Sequence, residues 1–84
     1  MFPPTDTIIV YGTTWCGDCR RAVAALDRYQ VDYQFINIDH DKAAEKMVIE
    51  HNRGFRSVPT ILFPDGSILV EPSSNLILSK LGLS

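Results

Sequence analysis

The sequence lacks both a surplus of charge of one sign and a long hydrophobic run. Its 84 residues include 8 basic and 10 acidic side chains, which give a formal net charge of −2 at pH 7. Nucleic-acid-binding domains usually carry a clustered basic surplus, so we expect no nucleic-acid partner. The opening MFPPTDTIIV has no basic segment, and the apolar run Ile8–Val10 is too short for a signal peptide or a membrane span. We therefore expect a cytoplasmic protein that has no membrane partner.

Cysteine is scarce as well, and the only two, Cys16 and Cys19, are separated by two residues. A bridge between them would close a loop too small to constrain the unfolded chain much. Small secreted domains that depend on disulfides usually carry several pairs, and a reducing cytosol would keep a lone structural bridge open. The pair is therefore better explained by its reactivity than as a structural disulfide.

A zinc site is the rival interpretation of the cysteine pair. Structural zinc takes four ligands, and the chain has a single Cys-x-x-Cys motif. The two histidines, His40 and His51, are eleven positions apart, whereas the histidines of a zinc finger are three to five apart. We expect no metal site and assign both histidines to the surface.

Hydrophobic periodicity predicts seven elements in the order β-α-β-α-β-β-α, within a single domain that spans residues 1–84. The helix between the first two strands predicts a parallel, right-handed β-α-β unit, and the turn Pro64–Gly66 predicts an antiparallel hairpin. The fold class is thus α/β, with a four-stranded mixed sheet between helices. The predicted strands are Thr7–Tyr11, Tyr33–Ile38, Thr60–Phe63 and Ser67–Val70, and the predicted helices are Gly17–Tyr29, Lys42–His51 and a last one initiated by Pro72, Ser73 and Ser74.

The spacing of apolar residues also predicts which helix faces are buried. The predicted inward residues are Ala22, Val23, Ala25, Leu26 and Tyr29 in the first helix, Ala43, Ala44, Met47 and Val48 in the second, and Leu76, Ile77, Leu78 and Leu81 in the third.

The cysteine pair lies where the first strand has ended and the first helix begins. Cys16 would sit at the helix N-terminus, where unpaired N–H groups and the helix dipole stabilise a thiolate, so it is the candidate nucleophile. Cys19 is three residues further on and faces the same side of the helix. It could attack a mixed disulfide formed at Cys16, which makes it the candidate resolving thiol. Asp18 opposes the thiolate, whereas Arg20 and Arg21 favour it, so the net sign of the flanking charges stays open.

Two further features flank this site. Trp15 is interpreted either as an exposed apolar platform for a docking disulfide or as a core residue packed on the helix. In the segment Ser57–Thr60, Pro59 opens a strand although it cannot donate to the strand ladder. A cis Val58–Pro59 bond is one way to accommodate it.

Together, the sequence Trp15–Cys19, the segment Ser57–Thr60 and the run Asp65–Ser73 (DGSILVEPS) resemble the glutaredoxin branch of the thioredoxin superfamily over nearly the whole chain. Within that branch the chain is most similar to the mycoredoxins, which share the pattern VPT…F.DGS.L..PS and a histidine in the position of His40. The resemblance implies a thioredoxin/glutaredoxin fold and a disulfide reductase of the glutaredoxin or mycoredoxin type.

The resemblance also implies roles for individual residues. Cys16 would be the nucleophile that attacks a mixed disulfide between a small thiol and a protein, and Cys19 the resolving or tuning thiol. Pro59 would be a cis-proline that faces them. Val58 would offer its backbone to the bound thiol compound in strand-like pairing.

The chain departs from the glutaredoxins that use glutathione. Those proteins usually have a lysine three residues before the first cysteine, a Pro-Tyr between the cysteines and a Gly-Gly-x-Asp stretch before the last helix. Here the corresponding positions hold Thr13, Gly17-Asp18 and Glu71–Ser74. The expected co-substrate is therefore mycothiol or another low-molecular-weight thiol rather than glutathione, and no bound cofactor is expected.

Other groups could still hold a carboxylate of the small thiol. Arg53 and Arg56 are candidates, as are Ser73 and Ser74 at a helix N-terminus. The alternative is that all four are solvated surface residues.

Three other functions compete with this prediction. A protein-specific electron carrier reduced directly by thioredoxin reductase is the first. The second is a module in which two chains share a [2Fe–2S] cluster; Cys19 argues against it, because most such binders have one active-site cysteine. A true thioredoxin is disfavoured because only six residues precede the first strand. The expected partners are protein mixed disulfides and an electron source, either a small thiol or thioredoxin reductase, and we expect a monomer.

Overall fold

The computed structural model describes residues 2–83 and contains a four-stranded sheet with helices on both faces. The elements are β1 (Ile8–Gly12), α1 (Gly17–Arg28), β2 (Tyr33–Asn37), α2 (Lys42–His51), β3 (Thr60–Leu62), β4 (Ile68–Val70) and α3 (Ser74–Lys80). Strand β1 pairs in parallel with β2 and antiparallel with β3, and β3 pairs antiparallel with β4, which gives the sheet order β2-β1-β3-β4. This arrangement confirms the predicted α/β fold and element order.

Strand β1 is buried along its whole length because helices cover both faces of the sheet. Successive side chains of a strand point to opposite faces, so β1 contributes to two separate hydrophobic clusters. The first cluster includes residues of α1 and α3, and its buried members are Ile8, Val10, Ala22, Leu26, Ile61, Phe63 and Ile77. The second includes residues of α2, and its buried members are Ile9, Tyr11, Ile38, Ala44, Val48 and Leu62.

Three predicted inward residues are exposed. Tyr29 caps the C-terminus of α1 and is 44% exposed, because the helix ends one residue before it. Ala43 is exposed because Ala44 and Val48, four residues apart, form the buried line of α2. Leu76 is 48% exposed, since the seven-residue α3 is short and buries only Ile77.

Strand directions bring three loops to one end of the sheet. The parallel strands β1 and β2 both end there, with Gly12 opposite Asn37. The antiparallel strand β3 begins at the same end, where Thr60 pairs with Tyr11 and with Val70. The loops before α1, before α2 and before β3 therefore meet. No helix within residues 2–83 is long and apolar enough to cross a membrane.

Candidate active site

Cys16 is the N-cap residue of α1, with extended backbone torsions of φ −81° and ψ 123°. Its side chain makes no capping hydrogen bond, while its carbonyl oxygen accepts from the Arg20 N–H at 3.1 Å. The thiol is partly exposed and donates to the Val58 carbonyl oxygen across an S···O distance of 3.8 Å. The Val58–Pro59 peptide bond is cis, as predicted. The Cys16 sulfur thus lies between a helix N-terminus and the cis-proline loop.

Cys19 lies in the first turn of α1 and is 1% exposed. Its sulfur accepts a hydrogen bond from the Thr13 N–H at 3.5 Å. Burial raises the pKa of the Cys19 thiol to about 11; the Thr13 N–H acts in the opposite direction, and Cys16 adds to the rise. Cys19 is therefore a protonated thiol at neutral pH. The two sulfurs are in contrasting surroundings, one accessible and one enclosed.

Gly12 and Thr13 shape the space around Cys19, and sequence reasoning gave neither of them this role. A Cβ atom on Gly12 would lie 2.8 Å from the Cys19 sulfur and 3.2 Å from the Phe35 ring, so only glycine lets α1 approach β1 this closely. Thr13 is 1% exposed, and its hydroxyl has no hydrogen-bond partner within the described part of the chain. The sequence feature that could have indicated the role of Gly12 is its position, directly between a buried strand and the cysteine loop.

Trp15 is 64% exposed, so the interpretation as a core residue is wrong. Its indole N–H donates to the Asp39 carboxylate at 2.8 Å. Asp39 follows β2 and was not predicted as a site residue. The hydrogen bond from Trp15, and then that from Arg56, hold the pKa of the Asp39 carboxyl below its usual range. Asp39 is therefore a carboxylate at neutral pH and fixes the indole beside Cys16.

Arg56 is bound to protein carboxylates on two sides. Its Nε–H donates to Glu45 Oε2 at 2.7 Å, and one terminal nitrogen donates to Asp39. We call the four residues Trp15, Asp39, Glu45 and Arg56 the Arg56 cluster. Arg56 is thus partly exposed and paired with two carboxylates, whereas Arg53 is exposed.

Ser73 is the N-cap residue of α3, and its hydroxyl oxygen accepts from the Leu76 N–H at 3.1 Å. Ser74 is the first residue of that helix and is partly buried. The segment that leads to them adjoins the cis-proline loop, because the Glu71 N–H donates to the Pro59 carbonyl oxygen at 2.8 Å. Glu71 thus links this segment to the cis-proline loop, and the Ser73 hydroxyl is committed to capping α3.

A small cavity of about 280 Å³ adjoins Cys19. Its walls are mostly apolar, and it is lined by Thr13, Thr14, Cys19, Arg20, Val23, Tyr33 and Phe35. Residues 2–83 contain no group of three or more histidine, cysteine, aspartate or glutamate side chains placed to hold a metal ion.

Solved structures with this architecture are thioredoxin-like. A mutant of a thioredoxin-like protein superposes with a TM-score of 0.81 at 20% identity, covering 95% of this chain and 100% of that one. A glutaredoxin from Archaeoglobus fulgidus superposes with a TM-score of 0.71 at 23% identity, covering 89% and 85%. The fold is therefore the thioredoxin-like fold that the resemblance implied.

Sequence comparison defines the family. The glutaredoxin family model matches residues 8–68. A protein of Mycobacterium tuberculosis (strain H37Rv), provisionally named a glutaredoxin, is 40% identical over 77 residues, which is 92% of each chain. Mycoredoxin 1 of Corynebacterium glutamicum is 32% identical over 76 residues, 90% of this chain and 94% of that protein. This chain belongs to the glutaredoxin family, whose members are redox proteins that generally act as thiol–disulfide oxidoreductases.

Proposed function

We propose that this chain reduces mixed disulfides between a protein and a low-molecular-weight thiol, with Cys16 as nucleophile and Cys19 as resolving thiol. The main support is the contrast between the two sulfurs. Cys16 is partly exposed at the N-cap of α1 and lies 3.8 Å from the Val58 carbonyl oxygen, whereas Cys19 is enclosed one turn further on. An incoming disulfide can reach only the first of them.

The first step is an exchange of one disulfide bond. The Cys16 thiolate attacks the sulfur of the small thiol, a bond forms between these two sulfurs, and the bond to the protein sulfur breaks. The protein thiolate leaves and takes up a proton. The position of Cys16 at the N-cap of α1, an end of a helix that favours negative charge, supports its assignment as the attacking residue.

The second step releases the small thiol. Cys19 loses its proton and attacks the Cys16 sulfur, so that a Cys16–Cys19 disulfide forms and the small thiol leaves with a proton. Burial raises the pKa of Cys19 and also encloses its sulfur, whereas the Cys16 sulfur is accessible, so Cys16 attacks first. Two further molecules of small thiol supply the electrons that restore the dithiol.

The loops around Cys16 provide the proposed contacts with the bound compound. Val58 offers its backbone beside the reacting sulfur, and Pro59 faces the two cysteines. Trp15 gives an exposed apolar surface on the residue before Cys16. Ser73 and Ser74 would complete the rim, since the Glu71 N–H ties the preceding segment to Pro59.

We favour a mycothiol-type thiol over glutathione as co-substrate. The position where glutathione-using members usually have a lysine is held here by Thr13, which is 1% exposed. Mycoredoxin 1 is among the relatives that align along most of the chain.

The test compares Cys16→Ser with Cys19→Ser, which make the same exchange of sulfur for oxygen at the two positions. We expect Cys16→Ser to abolish reduction of a protein mixed disulfide, measured as release of the protein thiol, while Cys19→Ser retains part of it. Full activity in Cys16→Ser would contradict the proposal. Efficient reduction of the oxidised protein by thioredoxin reductase, with no small thiol present, would instead favour the protein-specific electron carrier.

A further inference from the structure

The guanidinium of Arg56 lies between two acidic side chains of the protein. It pairs with Glu45 at 2.7 Å and with Asp39 on a second side. The three side chains are about one-third exposed or less, at 31% for Arg56, 26% for Glu45 and 32% for Asp39. Two carboxylates and one guanidinium leave this group with a net negative charge.

The three side chains of Arg56, Asp39 and Glu45 border the proposed thiol site on two sides. Arg56 is two residues before Val58, whose carbonyl oxygen contacts the Cys16 sulfur. Asp39 also accepts the indole N–H of Trp15, the residue before Cys16. A compound attached to Cys16 and lying between Trp15 and Val58 is therefore exposed to the charge of this group.

A guanidinium beside a binding site is normally a strong partner for a carboxylate, because its planar fork donates two parallel hydrogen bonds. Here Glu45 and Asp39 already accept hydrogen bonds from two sides of the Arg56 guanidinium. A ligand carboxylate would have to displace one of them and approach against the remaining negative charge. A ligand with hydroxyl groups in place of carboxylates meets no such repulsion.

We infer that Asp39 and Glu45 are specificity-determining residues that occupy Arg56 and so select against small thiols that carry carboxylates. This inference rests on the proposed function. It assigns the selectivity to the two acidic partners of Arg56, and it predicts that their neutralisation makes Arg56 available to an anionic ligand.

The experiment compares one anionic and one neutral disulfide as probes. The reduced protein is mixed with oxidised glutathione, which carries carboxylates, or with hydroxyethyl disulfide, which is uncharged. Rate constants come from acid-quenched samples by counting the thiols that remain available for alkylation. For the double variant Asp39→Asn/Glu45→Gln, we expect the ratio of the glutathione rate to the hydroxyethyl rate to rise roughly three- to tenfold, the range of a partly exposed ion pair.

Two control variants separate Arg56 from charge in general. Asp32→Asn removes one negative charge at the opposite end of the sheet, just before the residue that pairs with Ile8, and should leave the ratio unchanged. The triple variant, which adds Arg56→Ala to the double variant, should lose the gain. If the double variant does not fold, Glu45→Gln alone keeps the Asp39 contacts and should give a smaller rise.

The outcomes distinguish this inference from the proposed function. An unchanged ratio in the folded double or single variant overturns the inference, as does a gain that persists in the triple variant. If the wild-type protein reacts with neither disulfide, the proposed function fails and the inference fails with it. A gain that requires Arg56 supports the inference.

Discussion

At the scale of residues, the site depends on two sulfurs, three positions apart, that have different surroundings. Cys16 is partly exposed, and Cys19 is 1% exposed and accepts the Thr13 N–H. The sequence was sufficient to predict that the two cysteines lie at a helix N-terminus, and their reactivity stays a prediction. It could not predict how deeply Cys19 is buried, since that depends on how closely α1 approaches Gly12 and Phe35.

The raised pKa of Cys19 predicts an alkaline loss of stability. Below the ordinary thiol pKa of 9.0, the folded and unfolded states both keep the proton. As the pH rises from there toward about 11, the unfolded chain ionises first, so the free energy of unfolding falls by roughly 2 kcal/mol. Urea unfolding at about pH 8 and about pH 11 measures this loss. We expect Cys19→Ala to lose less stability over the same interval.

Tyr11 and Tyr33 also have raised pKa values, and burial is the main cause in each case. Their contribution to the alkaline loss is common to the wild type and to Cys19→Ala, so the difference between the two proteins isolates Cys19. An equal loss in both proteins would contradict this assignment.

We expect replacement by valine to have opposite effects on the free energy of unfolding at two buried threonines, Thr13 and Thr60. The Thr13 hydroxyl has no partner within residues 2–83, whereas the Thr60 hydroxyl donates to the Ser57 carbonyl oxygen at 2.8 Å and accepts from Asn52 at 3.2 Å. Replacing an unpaired buried hydroxyl by a methyl group removes a desolvation cost, so Thr13→Val should raise the free energy of unfolding by roughly 1 kcal/mol. Thr60→Val should lower it by roughly 1–2 kcal/mol. Equal destabilisation in chemical denaturation would contradict the unpaired state of Thr13.

At the scale of elements, the site is formed where β1 and α1 nearly touch. The strand and helix order followed from apolar periodicity, and the observed boundaries differ from the predicted ones by about one residue. The contacts of the Arg56 cluster could not be predicted in this way. They join residues 24, 17 and 11 positions apart on separate loops and on α2, so they depend on how the folded loops meet.

Because β1 and α1 lie so close together, we expect one methyl group added at Gly12 to lower the stability of the protein strongly. A Cβ on Gly12 would lie 2.8 Å from the Cys19 sulfur, so Gly12→Ala should lower the free energy of unfolding by roughly 1–3 kcal/mol. Gly17→Ala is the matched control, because a Cβ there meets only the flexible Arg21 guanidinium, at 3.5 Å or more. Chemical denaturation of both variants tests this prediction. A loss in Gly17→Ala as large as that in Gly12→Ala would show that the contact with Cys19 is not the cause.

At the scale of the whole molecule, sheet topology explains how distant segments form one site. Parallel pairing of β1 with β2 places the Cys16 loop beside the Asp39 loop, and antiparallel pairing with β3 adds the cis-proline loop. That Pro59 faces the cysteines was implied by the family resemblance, and the structure shows a contact between Cys16 and the neighbouring Val58. The identity of the small thiol could not be predicted in this way. Its recognition depends on side-chain contacts such as the ion pairs of Arg56, which the sequence does not determine.

The central claim is that Cys16 forms a mixed disulfide with a small thiol and that Cys19 resolves it. The most direct measurement is the intact mass of Cys19→Ser after separate exposure to the oxidised forms of mycothiol, glutathione and bacillithiol, because loss of the resolving thiol should trap the adduct. Cys16→Ser, which keeps only the buried thiol, is the matched control and should stay unmodified. We expect one dominant adduct on Cys16, formed with mycothiol. No adduct with any of the three compounds would contradict the mixed-disulfide mechanism.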